Sequence, residues 1–371
     1  MNIFKKSTII FITLCLIFFC GCEHSEPIED LAVIMGFGYD IEKKSKPKNI
    51  TAMEFITVEK KDEASSDYFV GKGTSIYNAI ENYKSKQEKP FSYGSELVYI
   101  ISEERAKLGM EDLAYDLLSY PDVNINAKTI ICKGECKDYF SLKLKSGSAS
   151  EKLSNLIKFE NEEHFFSECY KVNDFLCMYY QQGRQLYLPY VEIIKKNFQV
   201  TGVAIFNNNK FYKKIPIEEA KLMNILRNSG GTGIIGIYSD DPFKYLEMEG
   251  ESNLKVKVST KNHKLNYDIS ISVSGDLRID TLYGKELSKK QILKIEKKLE
   301  DKFKKDLDKE VKKIQNVYGF DCLDLSKYAL AEYGRNSGYD SDEYFSNAKI
   351  NIDVKVKIES TGRTYKGTAK N

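Results

Sequence analysis

The side chains able to do chemistry in this 371-residue sequence are few and far apart. Beyond residue 22 the cysteines are Cys132, Cys136, Cys169, Cys177 and Cys322, an odd number at irregular intervals in a large chain, which implies no disulfide framework. Cys132-Lys133-Gly134-Glu135-Cys136 is the one close pair, and it lacks the second Cys or His pair that would complete a zinc tetrahedron. Packing therefore outweighs metal ligation as the role of these thiols. The three imidazoles, His24, His164 and His263, belong to no His-Glu-x-x-His helix, and no Gly-x-Ser-x-Gly elbow presents a serine nucleophile. His164 follows the acidic stretch Glu160-Asn161-Glu162-Glu163, which reads as a solvated helix face. Gly231-Thr232-Gly233-Ile234-Ile235-Gly236 spells a dinucleotide fingerprint, but that fingerprint works only with a strand before it and a helix opening from it. Here residues 217–227 read as helix and Asp240-Asp241-Pro242 as a turn, so the cluster is expected to end a helix and form a loop. No catalytic residue, metal ligand or cofactor is expected.

The thiol with a defined chemistry is Cys22. A short basic head carrying Lys5 and Lys6 precedes an apolar run over residues 9–20 broken only by Thr13, then Gly21, Cys22 and Glu23, which is the grammar of a signal peptide over residues 1–21. As a helix, residues 8–21 would rise roughly 21 Å at about 1.5 Å per residue, short of the ~30 Å hydrocarbon core. Phe19-Cys20-Gly21-Cys22 resembles a bacterial lipobox, in which a small residue precedes a cysteine whose thiol forms a thioether to diacylglycerol before the signal is removed. Phe19 stands where Leu, Val or Ile is usual, and Cys20 where Ala, Ser or Thr is usual. Two acyl chains at about 0.8 kcal/mol per buried CH₂ exceed the marginal hold of one, making the anchor effectively permanent. The alternative is ordinary secretory cleavage that leaves Cys22 an unmodified thiol.

Composition narrows the classes further. With 42% apolar and 30% charged residues the chain is neither disordered nor collagenous, and one short apolar run rules out a polytopic membrane protein. Against 54 acidic residues stand 56 basic ones, two of which are Lys5 and Lys6; the remainder is neutral and lacks the positive field of a nucleic-acid-binding protein.

The periodicities predict how the elements are arranged. Residues 28–39 and 50–58 suggest a hairpin joined across residues 43–48, and Thr74 or Ser75 can cap a helix over residues 76–83. Residues 97–101 read as a strand, 103–120 as a helix ended by Pro121, 124–132 as a strand, 148–180 as helical and 181–189 as a loop. Residues 200–206 and 210–215 form a hairpin around Asn207-Asn208-Asn209, with a helix over 216–228. In the last third, three alternating strands, around Leu254-Val258, Leu265-Val273 and Ile350-Ile358, read as half-buried and antiparallel. Ile292, Ile295, Leu299, Phe303, Leu307, Val311 and Ile314 mark one long amphipathic helix able to cover them, with a coiled-coil partner as the alternative. The fold class is α+β, a multi-module arrangement of mixed or antiparallel sheets packed by helices. It divides into an N-terminal α/β domain (22–195), a middle hairpin-helix module (196–250) and a C-terminal β-β-α-β domain (251–371).

Several of these segments, in order, resemble the Ger(x)C spore germination lipoproteins, the C subunits of nutrient germinant receptors. The run from Cys22 through Leu31-Ala32 to Gly36-Phe37-Gly38-Tyr39-Asp40 is similar to the family's mature start. Gly71-Lys72-Gly73-Thr74-Ser75 with Ala79-Ile80, Phe91-Ser92-Tyr93-Gly94-Ser95 through Glu103-Glu104-Arg105-Ala106, and Gly202-Val203-Ala204-Ile205-Phe206 resemble its later segments. So do Ser274-Gly275-Asp276-Leu277 and Tyr318-Gly319-Phe320-Asp321. Glu23 replaces a usual Trp, Ser25 a common basic residue and Ser95 a frequent His. The resemblance implies a non-catalytic ectodomain of three modules, lipid-anchored through Cys22 on the outer face of the spore inner membrane and working with integral membrane receptor subunits. A lipoprotein solute-binding module of a transporter is the alternative; it predicts two similar lobes around a cleft. A tethered hydrolase would need a nucleophile elbow or metal triad, and the sequence offers neither.

Overall fold

Two sheets with unlike surroundings organise the chain. They are seen in a computed structural model that describes residues 26–58, 64–160, 163–166, 170–262, 264–283 and 287–361. Cys22, Cys169, His24 and His263 lie outside the described residues.

The larger sheet has nine strands: β1 (Ala32–Ile41), β2 (Asn49–Val58), β3 (Ala64–Gly73), β4 (Phe91–Ser92), β5 (Val98–Ser102), β6 (Lys128–Cys132), β7 (Tyr187–Ile194), β8 (Asn197–Asn207) and β9 (Lys210–Pro216). They lie in the order β3-β2-β1-β5-β6-β7-β8-β9, with β4 beside β1. The inner strands β1, β5, β6 and β7 run parallel, and antiparallel pairs extend the sheet at either side. Parallel strands need crossovers, supplied by α1 (Ile76–Lys84), α2 (Glu103–Ala106), α3 (Glu111–Ser119), α4 (Cys136–Phe140), α5 (Ala149–Glu160) and α6 (Val172–Tyr180). β5 is buried at every position, as a strand covered on both faces must be.

The expected β1–β2 hairpin forms, with Ile41 paired to Asn49. Ser75 Oγ accepts the Asn78 amide at 3.1 Å to open α1. The β8–β9 turn places Asn208 and Asn209 at φ 49° and 59°. Elsewhere the segments are shorter than expected. Residues 103–120 form two helices, α2 and α3, because Gly109 breaks the run at φ 116°. Residues 148–180 likewise divide into α5 and α6, and β6 starts only at Lys128. Residues 187–189, expected in a loop, open β7. The sheet continues across residue 195, since Ile194 pairs with Asn197.

The smaller sheet has the order β10 (Thr232–Tyr238), β11 (Tyr245–Lys261), β12 (Lys264–Asp280), β13 (Lys349–Ser360). The glycine cluster at 231–236 is largely strand β10 rather than loop: a Cβ at Gly233 would lie 2.5 Å from the Phe165 ring, so the glycine admits a close approach. β13 runs parallel to β12, because the chain returns through a helical crossover; alternation reports one-sided burial and says nothing of direction.

α7 (Ile217–Arg227) precedes this sheet, α8 (Lys289–Lys313) forms the crossover, and α9 (Ser326–Tyr333) and α10 (Asp342–Ser346) complete it. A Ser288–Gln291 capping box opens α8, whose stripe of Ile295, Leu299, Phe303, Leu307 and Val311 is buried as core. Charged side chains beside that stripe satisfy backbone groups of both outer strands. Glu296 Oε1 accepts the Ile358 amide at 2.8 Å and Glu300 Oε1 the Val356 amide at 3.2 Å, while Lys304 donates to the Ile352 carbonyl on β13. Lys302 Nζ donates to the Gly236 carbonyl on β10 at 3.0 Å. The sheet thus curls until both its edges meet one helix, which blunts them against pairing with another chain. The fold is α+β, and one apolar core runs through both sheets.

Candidate functional site

The Gly36-Phe37-Gly38-Tyr39-Asp40 motif sits on β1, where alternate residues face opposite layers. On one face, Gly36 lies against Ser150 of α5 and Gly38 against Cys136 of α4, so closely that a Cβ at either position would collide. Asp40, buried at the end of the strand, accepts the Cys136 amide at 2.8 Å and so starts α4. The Cys132 and Cys136 sulfurs approach to 3.8 Å, and Cys136 Sγ also lies 3.5 Å from the Ile100 carbonyl. Burial pushes both thiols above their ordinary pKa, which keeps them neutral and disfavours nucleophile and metal-ligand roles alike. The pair that the sequence singled out is therefore brought together as a packing seam between strand and helix. No group of three His, Cys, Asp or Glu side chains among the described residues could hold a metal ion. His164 Nδ1 lies 2.9 Å from Glu160 Oε2 and is half-buried.

On the opposite face, Phe37 and Tyr39 stack with Tyr99 of β5 at ring-centroid distances of 5.7 and 6.3 Å. These rings floor a crevice of about 40 Å³ between α1 and α3, with Tyr93 stacked on Phe37 at 6.3 Å and Tyr120 edge-on to Tyr93 at 5.9 Å. Two carboxylates line it. Both oxygens of Glu96 accept the Gly94 amide at 3.1 Å, and the Asn124 amide donates to Glu96 Oε2 at 3.3 Å. Asp116 Oδ2 accepts the Tyr39 hydroxyl at a long 3.3 Å. Burial pushes both carboxyl groups above the usual range. Lys84 of α1 sets its ammonium 5.7 Å from the Tyr93 ring centre and 6.0 Å from that of Tyr77. Sequence reasoning missed this crevice because its lining is scattered over residues 37–123; Ser95, a departure from the resembling family, is exposed beside it. An excess of tyrosine with no tryptophan was the only signal, and it carries no position.

A third cluster joins the sheets. Asp324, fully buried, accepts Arg227 Nη2 of α7 and Arg184 Nε, each at 2.9 Å, and the Gln185 amide at 3.1 Å. Arg227 also donates from Nη1 to the Cys322 carbonyl at 2.6 Å and lies 4.3 Å over the Tyr187 ring of β7. Burial would raise the Asp324 carboxyl, but the two guanidinium groups overcome it and hold the group below the usual range. Asp321, in the Tyr318-Gly319-Phe320-Asp321 segment, accepts the Leu323 and Ser326 amides at 2.9 and 2.6 Å and shapes the turn that delivers Asp324.

Among the described residues no helix is long and apolar enough to cross a membrane. A mixed nine-stranded sheet locked through a buried Arg-Asp-Arg cluster to a small sheet curled on one helix defines an α+β class whose polar clusters serve mainly as joints. The chain matches the family model for the spore germination protein N-terminal domain over residues 24–193. Over residues 201–362 it matches the model described as spore germination B3/GerAC like, C-terminal, and it belongs to this spore germination family. Among relatives it is similar to spore germination protein A3 of Bacillus subtilis (strain 168), 22% identical over 283 residues, 74% of each chain. It is also similar to spore germination protein GerQC of Bacillus cereus, 19% identical over 97% of this chain and 99% of the relative. The crystal structure of the GerBC protein shares the fold, with a TM-score of 0.59 at 15% identity over 87% of this chain and 97% of that one.

Proposed function

We propose that this chain is a lipid-anchored, non-catalytic subunit of a nutrient germinant receptor, held by diacylglycerol on Cys22 at the outer face of the spore inner membrane beside integral membrane subunits. The observation that carries the reading is one of order: a lipobox-like Phe19-Cys20-Gly21-Cys22 stands immediately ahead of two consecutive spore germination family matches at 24–193 and 201–362. The mechanism is positioning. A permanent tether keeps the folded domain at high effective concentration near its membrane partners, so that weak interfaces suffice. The solute-binding alternative calls for two similar lobes, and a nine-stranded mixed sheet beside a four-stranded one does not favour it.

The test is nutrient-triggered dipicolinate release from spores carrying the wild-type chain, a deletion, or Cys22→Ala. The reading expects release to be lost in the deletion and reduced in the cysteine variant. Normal release from the deletion under every nutrient that the wild type answers would contradict it.

A further inference from the structure

The aromatic crevice on the large sheet presents more negative charge than its own residues neutralise. Glu96, Asp116 and Asp122 line it, and Lys84 is the one cation among its lining residues. Glu96 is committed to the amides of Gly94 and Asn124. Asp116 is not: it holds only the long bond from Tyr39 and forms no ion pair among the described residues. Tyrosine ring faces in the crevice can hold a positive charge. Cations within about 6 Å of a tyrosine centroid are attracted by the ring quadrupole, and Lys84 already rests at that range from both Tyr93 and Tyr77. The Tyr93 hydroxyl, shielded from solvent, has no hydrogen-bond partner among the described residues and remains able to accept one.

Size limits the occupant. A free volume of about 40 Å³ admits a small molecule and falls well below the several hundred Å³ of a drug-sized site. We propose that this crevice binds a small primary ammonium compound, its ammonium group donating to Asp116 and its short alkyl stem lying on the Phe37 and Tyr99 rings. The raised carboxyl of Asp116 fits a site whose counter-ion arrives with the ligand, since a bound cation favours the ionised form that burial disfavours. Lys84, on the Tyr93 and Tyr77 rings, is the resident cation that competes with an incoming one. The inference stands on this geometry alone and is independent of the germination reading.

The test uses the purified full chain in detergent and follows thermal unfolding against rising ethylammonium chloride. Sodium chloride at equal ionic strength and ethanol at equal concentration are the controls. Ethylammonium is expected to raise the melting temperature in a saturable manner that neither control reproduces. Asp116→Asn should abolish the rise. Lys84→Gln, a change at an exposed position, should move saturation to several-fold lower concentration because the competing ammonium is gone. Equal shifts with sodium chloride, a rise that survives Asp116→Asn, or saturation unmoved in Lys84→Gln would each overturn the proposal. If Asp116→Asn fails to fold, the lysine variant decides the matter.

Discussion

The large sheet and the small sheet solve the burial problem in opposite ways. Strands β1, β5 and β6 lie between helical layers, and buried polar groups such as Asp40, Thr51, Glu54 and Thr129 sit within that packing. Glu54 accepts the amides of Ala149 and Ser150 at 2.7 Å each, opening α5 much as Asp40 opens α4. In the small sheet, β12 and β13 alternate buried Leu, Ile, Val and Tyr with exposed Lys, Asp and Ser, and helices, α8 the longest of them, cover the apolar face alone. A sheet covered on both sides must carry its polar interactions inside. A sheet with one wet face can keep them at the surface, which is why the carboxylates buried on strands, Asp40 and Glu54, and the crevice belong to the larger one, while Glu310, Asp321 and Asp324 are buried in the crossover beside the smaller.

The largest expected effect comes from breaking the joint between the two. Asp324→Ala strands Arg227 and Arg184 without their shared carboxylate and should lower stability by about 3–5 kcal/mol, read by denaturant unfolding. A loss under about 1 kcal/mol would mean that the sheets hold together without it.

Within the large sheet, Gly38→Ala forces a methyl group against Cys136 and should cost about 1–3 kcal/mol. Lys355→Thr, on the open face of β13, should stay within about 0.5 kcal/mol. Similar losses at the two positions would erase the distinction between crowded and open faces.

Removing both edge acceptors, in Glu296→Ala with Glu300→Ala, frees the Ile358 and Val356 amides and should cost about 1 kcal/mol. The same variant should raise light scattering as the bared edge of β13 becomes available to other chains.

The smallest effect concerns pH and has opposite signs at two carboxylates of the large-sheet region. Burial raises the Asp116 carboxyl, so its stabilising contribution is present below the ordinary carboxyl range and is lost as pH rises through the raised value. Asp116→Asn should therefore stabilise the chain at pH 7, and the gain should shrink on acidification. Glu192, whose several donors together outweigh its burial, behaves in reverse. Lys214, Thr201 and Lys133 overcome the effect of burial and hold it at about 2, so its contribution is present above the ordinary range and is lost as pH falls towards that value. Glu192→Gln should flatten the acid limb of the stability profile, measured by urea unfolding between neutral pH and pH 2.

The same contrast decides what could be read in advance. The alternation of Leu265-Tyr267-Ile269-Ile271-Val273 and the stripe of α8 were legible because one wet face imposes a strict period. The direction of β13 was not, since a crossover and a hairpin leave the same alternation. In the large sheet, β3 was overlooked because Ser65, Ser66, Asp67 and Lys72 mask its pattern on an edge strand; in the small sheet, β10 was overlooked because glycine marks close packing there as readily as a turn. Cys132 and Cys136 could be paired by spacing alone. Asp324 and its arginines, more than 95 residues apart in sequence, and the rings around Asp116 could not: only the topology brings them together.

The central claim is that this folded chain works while held at a membrane through Cys22. Its most direct test is the mass of the N-terminal peptide from the protein recovered in spore membranes, together with the fractionation of Cys22→Ala. The account predicts a mature chain beginning at a diacylglycerol-modified Cys22, and release of the variant into the soluble fraction. An unmodified Cys22, or Cys22→Ala as firmly bound as the wild type, would contradict it.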